Sequence, residues 1–235
     1  MHLKLLTTTL VALGLSSFSH ADFIGAKADL SYWNFNGYSQ TAEQLPTTVG
    51  SQYDLKRQGT VQLSVAFEHP IPLLPNAKLK YVNLDSASDS NPWYRTDIEL
   101  SQTDYILYYE LLDNIVSADL GLGVANLKGD VQQQTGLAIQ HYDIDDYMPL
   151  IYAQAGVKLP FTGLSARAEA VYASLDDTSI QDIQAELQYN FVESLVVNLG
   201  AKIGYRQMLI ETEDKQSPDL KMKFKGPYLG LDIHF

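Results

Sequence analysis

Tyr228-Leu229-Gly230-Leu231-Asp232-Ile233-His234-Phe235 closes the sequence as an alternating segment. Read by twos, Leu229, Leu231, Ile233 and Phe235 share one face, while Tyr228, Gly230, Asp232 and His234 share the other. One side suits an apolar medium and the other suits water. Terminal residues usually fray, so an amphipathic strand running to the last residue predicts an end that is paired on both edges, as in the closing strand of a barrel.

Strands of the same kind recur upstream. In Thr60 to His69, Val61, Leu63, Val65 and Phe67 oppose Gln62, Ser64, Ala66 and Glu68. In Ile183 to Phe191, Ile183, Ala185, Leu187, Tyr189 and Phe191 oppose Gln184, Glu186, Gln188 and Asn190. Leu195 to Tyr205 repeats the pattern, and similar strands are predicted over 23–35, 116–127, 150–159 and 164–174. Their length is near the roughly 9 to 11 residues that cross a bilayer at a tilt. Residues 77–84 can be phased either way. The stretch 96–111 changes phase near Gln102, which predicts a bulge or a strand continuing beyond the membrane.

The connections alternate between two kinds. Pro70–Asn76, Leu112–Ile115, Pro160–Gly163 and Val192–Ser194 are short, whereas Gly37–Gln58, Asp85–Arg95, Gly129–Tyr147, Asp176–Gln181 and Thr212–Asp219 are long or polar. Short turns at one end and long loops at the other are the asymmetry of a transmembrane antiparallel up-and-down β-barrel. The segmentation gives about ten strands, with eight as the alternative if 77–111 is misread. An even number leaves both termini at the periplasmic end. Tyr32, Trp33, Phe35, Trp93 and Tyr94 are expected in an outer aromatic girdle, and Tyr109, Tyr189, Phe191 and Phe235 in an inner one.

The closing segment resembles the terminal targeting pattern of Gram-negative outer-membrane β-barrels, in the order polar, any, Gly, any, any, hydrophobic, any, aromatic. Gly230, Ile233 and Phe235 match it, and Tyr228 fills the polar position with a phenol. The opening residues predict the same address. His2 and Lys4 precede an apolar run from Leu5 to Leu15, and Ser19 and Ala21 are small residues spaced for signal-peptide cleavage after Ala21. Residues 1–21 are therefore expected to be a cleaved signal, and 22–235 a single barrel domain. The whole chain is also similar to a gammaproteobacterial family of small outer-membrane barrels of uncharacterised function linked to surface protein sorting. That resemblance rests on the signal, the length, the strand from Phe23-Ile24-Gly25-Ala26-Lys27-Ala28-Asp29 to Trp33, and the closing strand. It implies no catalytic residue.

Charge and composition bound the function. Sixteen Lys and Arg against 28 Asp and Glu give a net charge of −12, and there is no cysteine. Such acidity argues against nucleic acid as a partner. The absence of cysteine removes disulfides, thiol nucleophiles and thiolate metal sites. Outer-membrane lipid, lipopolysaccharide and the barrel-assembly machinery are the partners expected of this address, and the loop ligand is left open. No cofactor is indicated.

Alternation assigns a lumen set: Lys27, Asp29, Glu68, Asp104, Glu110, Asp119, Lys158, Arg167, Glu169, Glu186, Lys202, Arg206 and Asp232. Buried charges are costly unless paired, so both signs together predict a salt-bridged plug filling a narrow barrel. The sharper reading is a narrow channel for small solutes or ions, yet open aqueous channels belong to barrels of about sixteen strands. A soluble barrel with its apolar faces turned inward is a further alternative.

Enzyme chemistry finds little support. Omptin-like proteases use an Asp pair and an Asp-His pair near one rim. Here Asp143-Ile144-Asp145-Asp146 lies beside His141 in a predicted outer loop, while Asp232 and His234 lie at the opposite end. Lipid hydrolases of this class carry a His-x-Ser signature, and none of His69, His141 and His234 has a serine two residues on. The acidic loop lacks the glycine and glutamate of an EF-hand. The expectation is a barrel without catalytic, cofactor or metal residues, acting through its extracellular loops.

Overall fold

A computed structural model describes residues 25–41, 52–71, 73–88, 93–194, 197–213 and 219–235. The expected signal peptide lies outside them. The strands are β1 (Gly25–Thr41), β2 (Gln52–Glu68), β3 (Asn76–Asn83), β4 (Ser86–Ala87), β5 (Tyr94–Asp113), β6 (Val116–Thr135), β7 (Ala138–Leu159), β8 (Leu164–Leu175), β9 (Thr178–Glu193), β10 (Asn198–Thr212) and β11 (Leu220–His234). All pairings are antiparallel between neighbours. β3 and the two-residue β4 both pair with β5 and form one interrupted stave, so eleven segments make ten staves. Two staves, β3 with β4 and then β5, fill the 77–111 region, which sets the eight-stranded count aside.

The last strand closes the ring. β11 pairs with β10 on one side and β1 on the other, from Lys27 opposite His234 to Thr41 opposite Leu220. Phe235 continues the ladder through backbone hydrogen bonds with Ala26, its N–H donating to the Ala26 carbonyl at 2.9 Å. Among the described residues every stave of the ring has a neighbour on both sides, which limits the unpaired backbone groups that would recruit another chain.

The walls divide into two halves of opposite chemistry. Toward the terminal rim, the outward residues are apolar: Leu229 and Leu231 on β11, Leu63 and Val65 on β2, Leu120 and Leu122 on β6, and Ile203 on β10 are all exposed. Most inward residues at the same levels are charged, amide or tyrosine side chains. Toward the opposite, distal rim the arrangement reverses. There Ile98, Leu100, Leu127, Met148, Met208, Met222 and Phe224 fill the interior, while Glu99, Lys128, Asp145, Gln207 and Lys223 line the outside.

A single strand makes the switch visible. On β5 the inward row reads Ile98, Leu100, Gln102, Asp104, and the outward row reads Glu99, Ser101, Thr103, Tyr105, Leu107. The change of phase near Gln102 is therefore not a bulge, since the β5 register is unbroken there. It marks a strand that outlasts its apolar belt. β5, β6 and β7 run 20, 20 and 22 residues, about twice the length that crosses a bilayer.

This geometry corrects the loop assignments. Residues 129–147 are not a loop but the two arms of the β6–β7 hairpin, turning at Gly136. Their apolar inward positions, Val131 and Ile144, bury a core that polar outward neighbours conceal in the sequence. The 176–181 link shrinks to a turn at Asp176-Asp177. Trp33 and Phe35 are wholly buried inside rather than placed in a girdle, because they share inward parity with Lys27 and Asp29. Tyr32, Tyr81, Tyr105, Tyr172 and Tyr205 ring the distal edge of the belt instead, all outward and exposed. Trp93 and Tyr94 lie farther out, beside the hairpin turn, where the Gly136 N–H donates to the Trp93 carbonyl.

Candidate functional site

Interior charges in the terminal half form three linked groups. The deepest joins β3, β8, β9 and β10. Arg206 donates Nε to Asp182 Oδ1 at 2.8 Å and Nη2 to Oδ2 at 2.9 Å, while its Nη1 reaches Gln62 at 2.6 Å. Its guanidinium lies 4.8 Å from the Trp33 ring centre, so the apolar floor begins directly against the charge. Lys80 bridges Asp182 at 3.3 Å and Glu169 at 2.5 Å, and Lys78 meets the other oxygen of Glu169. Fork geometry and shared partners are what make such burial tolerable.

The second group joins β1, β8, β9, β10 and β11. Lys202 contacts Asp29 and Glu186, Arg167 meets Glu186 at 2.7 Å and Asp232 at 3.6 Å, and the Tyr228 hydroxyl donates to Glu186 at 2.7 Å. The phenol at the polar position of the closing segment is thus inside the lumen. Its ring covers Gly204, where a Cβ would sit 2.4 Å from the Tyr228 Cζ. Gly230 is likewise inward, with a Cβ position 2.2 Å from Ser31 Oγ. Ile233 follows the outward parity of the belt and Phe235 is exposed. The third group lies nearer the terminal rim, where Lys27 meets Glu68 at 2.6 Å and Glu110 at 4.0 Å, and Tyr108 donates to Glu68.

Twelve of the thirteen expected lumen charges lie along the inner wall. Asp104 accepts from Gln102 at 2.7 Å and Asp119 from Gln154 at 2.8 Å. Lys158 does not join them: its side chain is 65% exposed and faces Asp113 at the rim, 3.6 Å away, because β7 outruns the closed lumen there. Lys78, Lys80 and Asp182 are network members that the alternation reading missed. The first two lie in the strand with undecided phase. Asp182 precedes the residue at which its strand was expected to begin, and its parity with Gln184 and Glu186 was the available signal.

The space left is small. A cavity of about 80 Å³ lies among these side chains, lined by Lys80, Glu169, Glu186, Lys202 and Arg206 among others. That volume holds a few waters. A wider vestibule of about 970 Å³ opens at the terminal rim beside Glu68, Lys158 and His234. On the distal side the apolar core continues from Trp33 through Phe35 and Phe224, whose rings pack in tilted and edge-on contacts. The described interior is a blind well.

The distal half presents its polar groups outward. His141, Asp143 and Asp145 project from the outer wall of β7, and Asp145 pairs with Lys128 at 3.1 Å. That hydrogen bond raises the Lys128 ammonium above its ordinary range. Asp146 points inward and accepts from Thr178. Asp232 and His234 stand at the far end of the barrel, so the two halves of an omptin-like constellation do not face one another.

No family model matches the chain, and no curated protein matches it in sequence. In solved structures it is similar to the outer membrane protease OmpT from Escherichia coli, with a TM-score of 0.54 at 8% identity, covering 92% of this chain and 98% of that one. The fold is that of an outer-membrane β-barrel. The translocator domain of autotransporter NalP from Neisseria meningitidis aligns with a TM-score of 0.43 at 11% identity over 98% of this chain and 95% of that one. Neisserial surface protein A aligns at 0.32 and 12% identity over 90% and 95%. At such identities the likeness is one of architecture.

Proposed function

We propose that the chain is an integral outer-membrane protein of a Gram-negative bacterium, inserted as a plugged barrel with both termini in the periplasm. Its structural or binding role is exercised by the distal half standing outside the membrane. The observation that carries this reading is the reversal of wall chemistry part-way up the barrel. Outward apolar side chains are concentrated in a band, and the charges inside that band are paired as a low-dielectric setting demands. Above it, a polar exterior over an apolar interior is the arrangement of a water-exposed domain.

The plug argues against a solute pathway, since the vestibule ends against charge pairs backed by a ring-packed apolar core. The separation of His141, Asp143 and Asp145 from Asp232 and His234 likewise favours a non-enzymatic role. The finer kinship with gammaproteobacterial barrels linked to surface protein sorting rests on the opening and closing strands.

Planar-bilayer recording of the folded protein tests the reading, with silence expected. A steady conductance that changes on Lys202→Gln or Arg206→Gln would replace the plug by a channel. Gel mobility with and without boiling tests the embedding itself: a heat-dependent shift is expected, reduced when Phe235 is deleted.

A further inference from the structure

The outer wall above the belt is divided by charge. On β5, β6 and β7, Glu99, Asp130 and Asp143 stand in one cross-strand row. On the other side, β11 carries Lys221, Lys223 and Lys225 at successive outward positions, directly after Leu231, Leu229 and Pro227. Such clustering runs against the composition of a chain with net charge −12. Like charges two residues apart on one face repel, and nothing in the packing of the apolar interior requires them.

A bulge extends this row. β1 pairs Phe35 with Gln58 but Gly37 with Leu55, so Lys56 and Arg57 together oppose Asn36. Asn36 is in turn the partner of Lys225 on the other edge. The extra residue brings two cations to the exposed wall where regular pairing would bring one. Lys225 thus lies two strands from Lys56 and Arg57, roughly 10 Å away. Arg57 donates to Asn34 at 2.8 Å, which holds the guanidinium against the wall. Glu211 pairs with Lys221 at 2.6 Å. Lys223 and Lys225 meet no carboxylate among the described residues.

The height of the group identifies its partner. Tyr205 opposes Pro227 and Tyr32 opposes Leu229, so Lys225 is the first outward position beyond the tyrosine ring. Tyrosines of that kind sit at headgroup level, and cations immediately beyond them reach anionic headgroups. The geometry points to Arg57, Lys223 and Lys225, with Lys56 beside them, as a binding face for the phosphates of a multiply phosphorylated glycolipid of the outer leaflet. This inference rests on the membrane orientation proposed above. It adds a specific site on one wall, where a generic lipid annulus would treat all walls alike.

The test titrates the folded full-length chain in neutral detergent with lipid A bearing two phosphates and with the same lipid dephosphorylated, counting bound lipid by native mass spectrometry. The native chain is expected to prefer the phosphorylated form by about tenfold or more, since each cation near an anionic headgroup contributes about fivefold. The Arg57→Gln, Lys223→Gln, Lys225→Gln combination should abolish that preference while keeping the heat-dependent gel shift. Lys128→Gln on the opposite wall should retain it. Equal binding of both lipids by the native chain, an undiminished preference in the triple variant, or an equal loss in Lys128→Gln would each overturn the site.

Because the chain has no cysteine, Lys225→Cys provides a unique label. Reaction with an impermeant maleimide on intact cells is expected. Failure of lipid selectivity with labelling intact would sink only the glycolipid site. Labelling only after the outer membrane is breached would sink the orientation, and the site with it.

Discussion

Arg206 and Asp182 meet through two parallel hydrogen bonds at the level where the lumen passes from polar to apolar. Arg206→Ala would leave the Asp182 carboxylate with Lys80 alone, and a loss of about 3 kcal/mol is expected. Replacing both partners by apolar residues, Arg206→Met with Asp182→Leu, should recover most of it. Urea unfolding in lipid vesicles, followed by tryptophan emission, measures the difference. A loss in the double variant equal to the sum of the Arg206→Met and Asp182→Leu losses would show that the pair is not coupled.

The two halves of β10 offer a second comparison. Ile203 and Leu209 face outward on the same strand, one in the apolar belt and the other above it. Ile203→Arg is expected to cost about 2–4 kcal/mol, the range for a cation on the lipid face of a barrel. Leu209→Arg should stay within about 0.5 kcal/mol, as for an ordinary surface change. Similar penalties at both positions would place the membrane boundary elsewhere.

Gly204 is expected to tolerate no side chain. A Cβ there meets Tyr228 Cζ at 2.4 Å and the Ala185 carbonyl at 2.6 Å. Gly204→Ala should destabilise the barrel by about 1–3 kcal/mol through overpacking, and Tyr228→Phe in the same background should not rescue it. A boiling-dependent gel shift retained to the native temperature would count against this packing.

Phe224 packs edge-on against Phe35 in the distal core. Truncation to alanine is expected to cost about 3–5 kcal/mol without producing conductance, since the surrounding apolar side chains remain. Current through Phe224→Ala would mean that this ring alone closes a pore.

Lys221 lies above the belt, and its hydrogen bond to Glu211 raises its ammonium above the ordinary lysine range. A raised value means that any stabilisation is fully present below the unfolded titration range and fades as pH rises through the folded one. The side chain is 41% exposed, so Glu211→Gln should change stability by no more than about 1 kcal/mol at neutral pH. A larger change, or one growing with alkaline pH, would contradict a solvent-screened pair.

Much of the barrel is written in alternation, and the belt strands around Val61, Leu187 and Leu229 follow it plainly. The distal half was hidden because its faces exchange polarity. An inward Ile144 between outward Asp143 and Asp145 looks like a polar loop when the apolar face is assumed to meet lipid. Trp33 and Phe35 were drawn to the girdle by residue type, although their parity placed them inside. Parity also carried most of the lumen network, whose connections were not legible: nothing in the spacing of Lys80, Glu169 and Asp182 reveals that three separate strands bring them together.

The surplus length of β6 and β7 fixes a reach. From Tyr147 to the turn before Ala138, nine residues of strand rise roughly 20–25 Å at a barrel tilt. In the proposed orientation the paired arms hold the hairpin tip near Leu137 at that distance from the bilayer, so what it meets depends on strand length. Removing two residues from each arm would lower the tip by roughly 5 Å and keep every side chain on its own face, whereas removing one would turn the wall inside out.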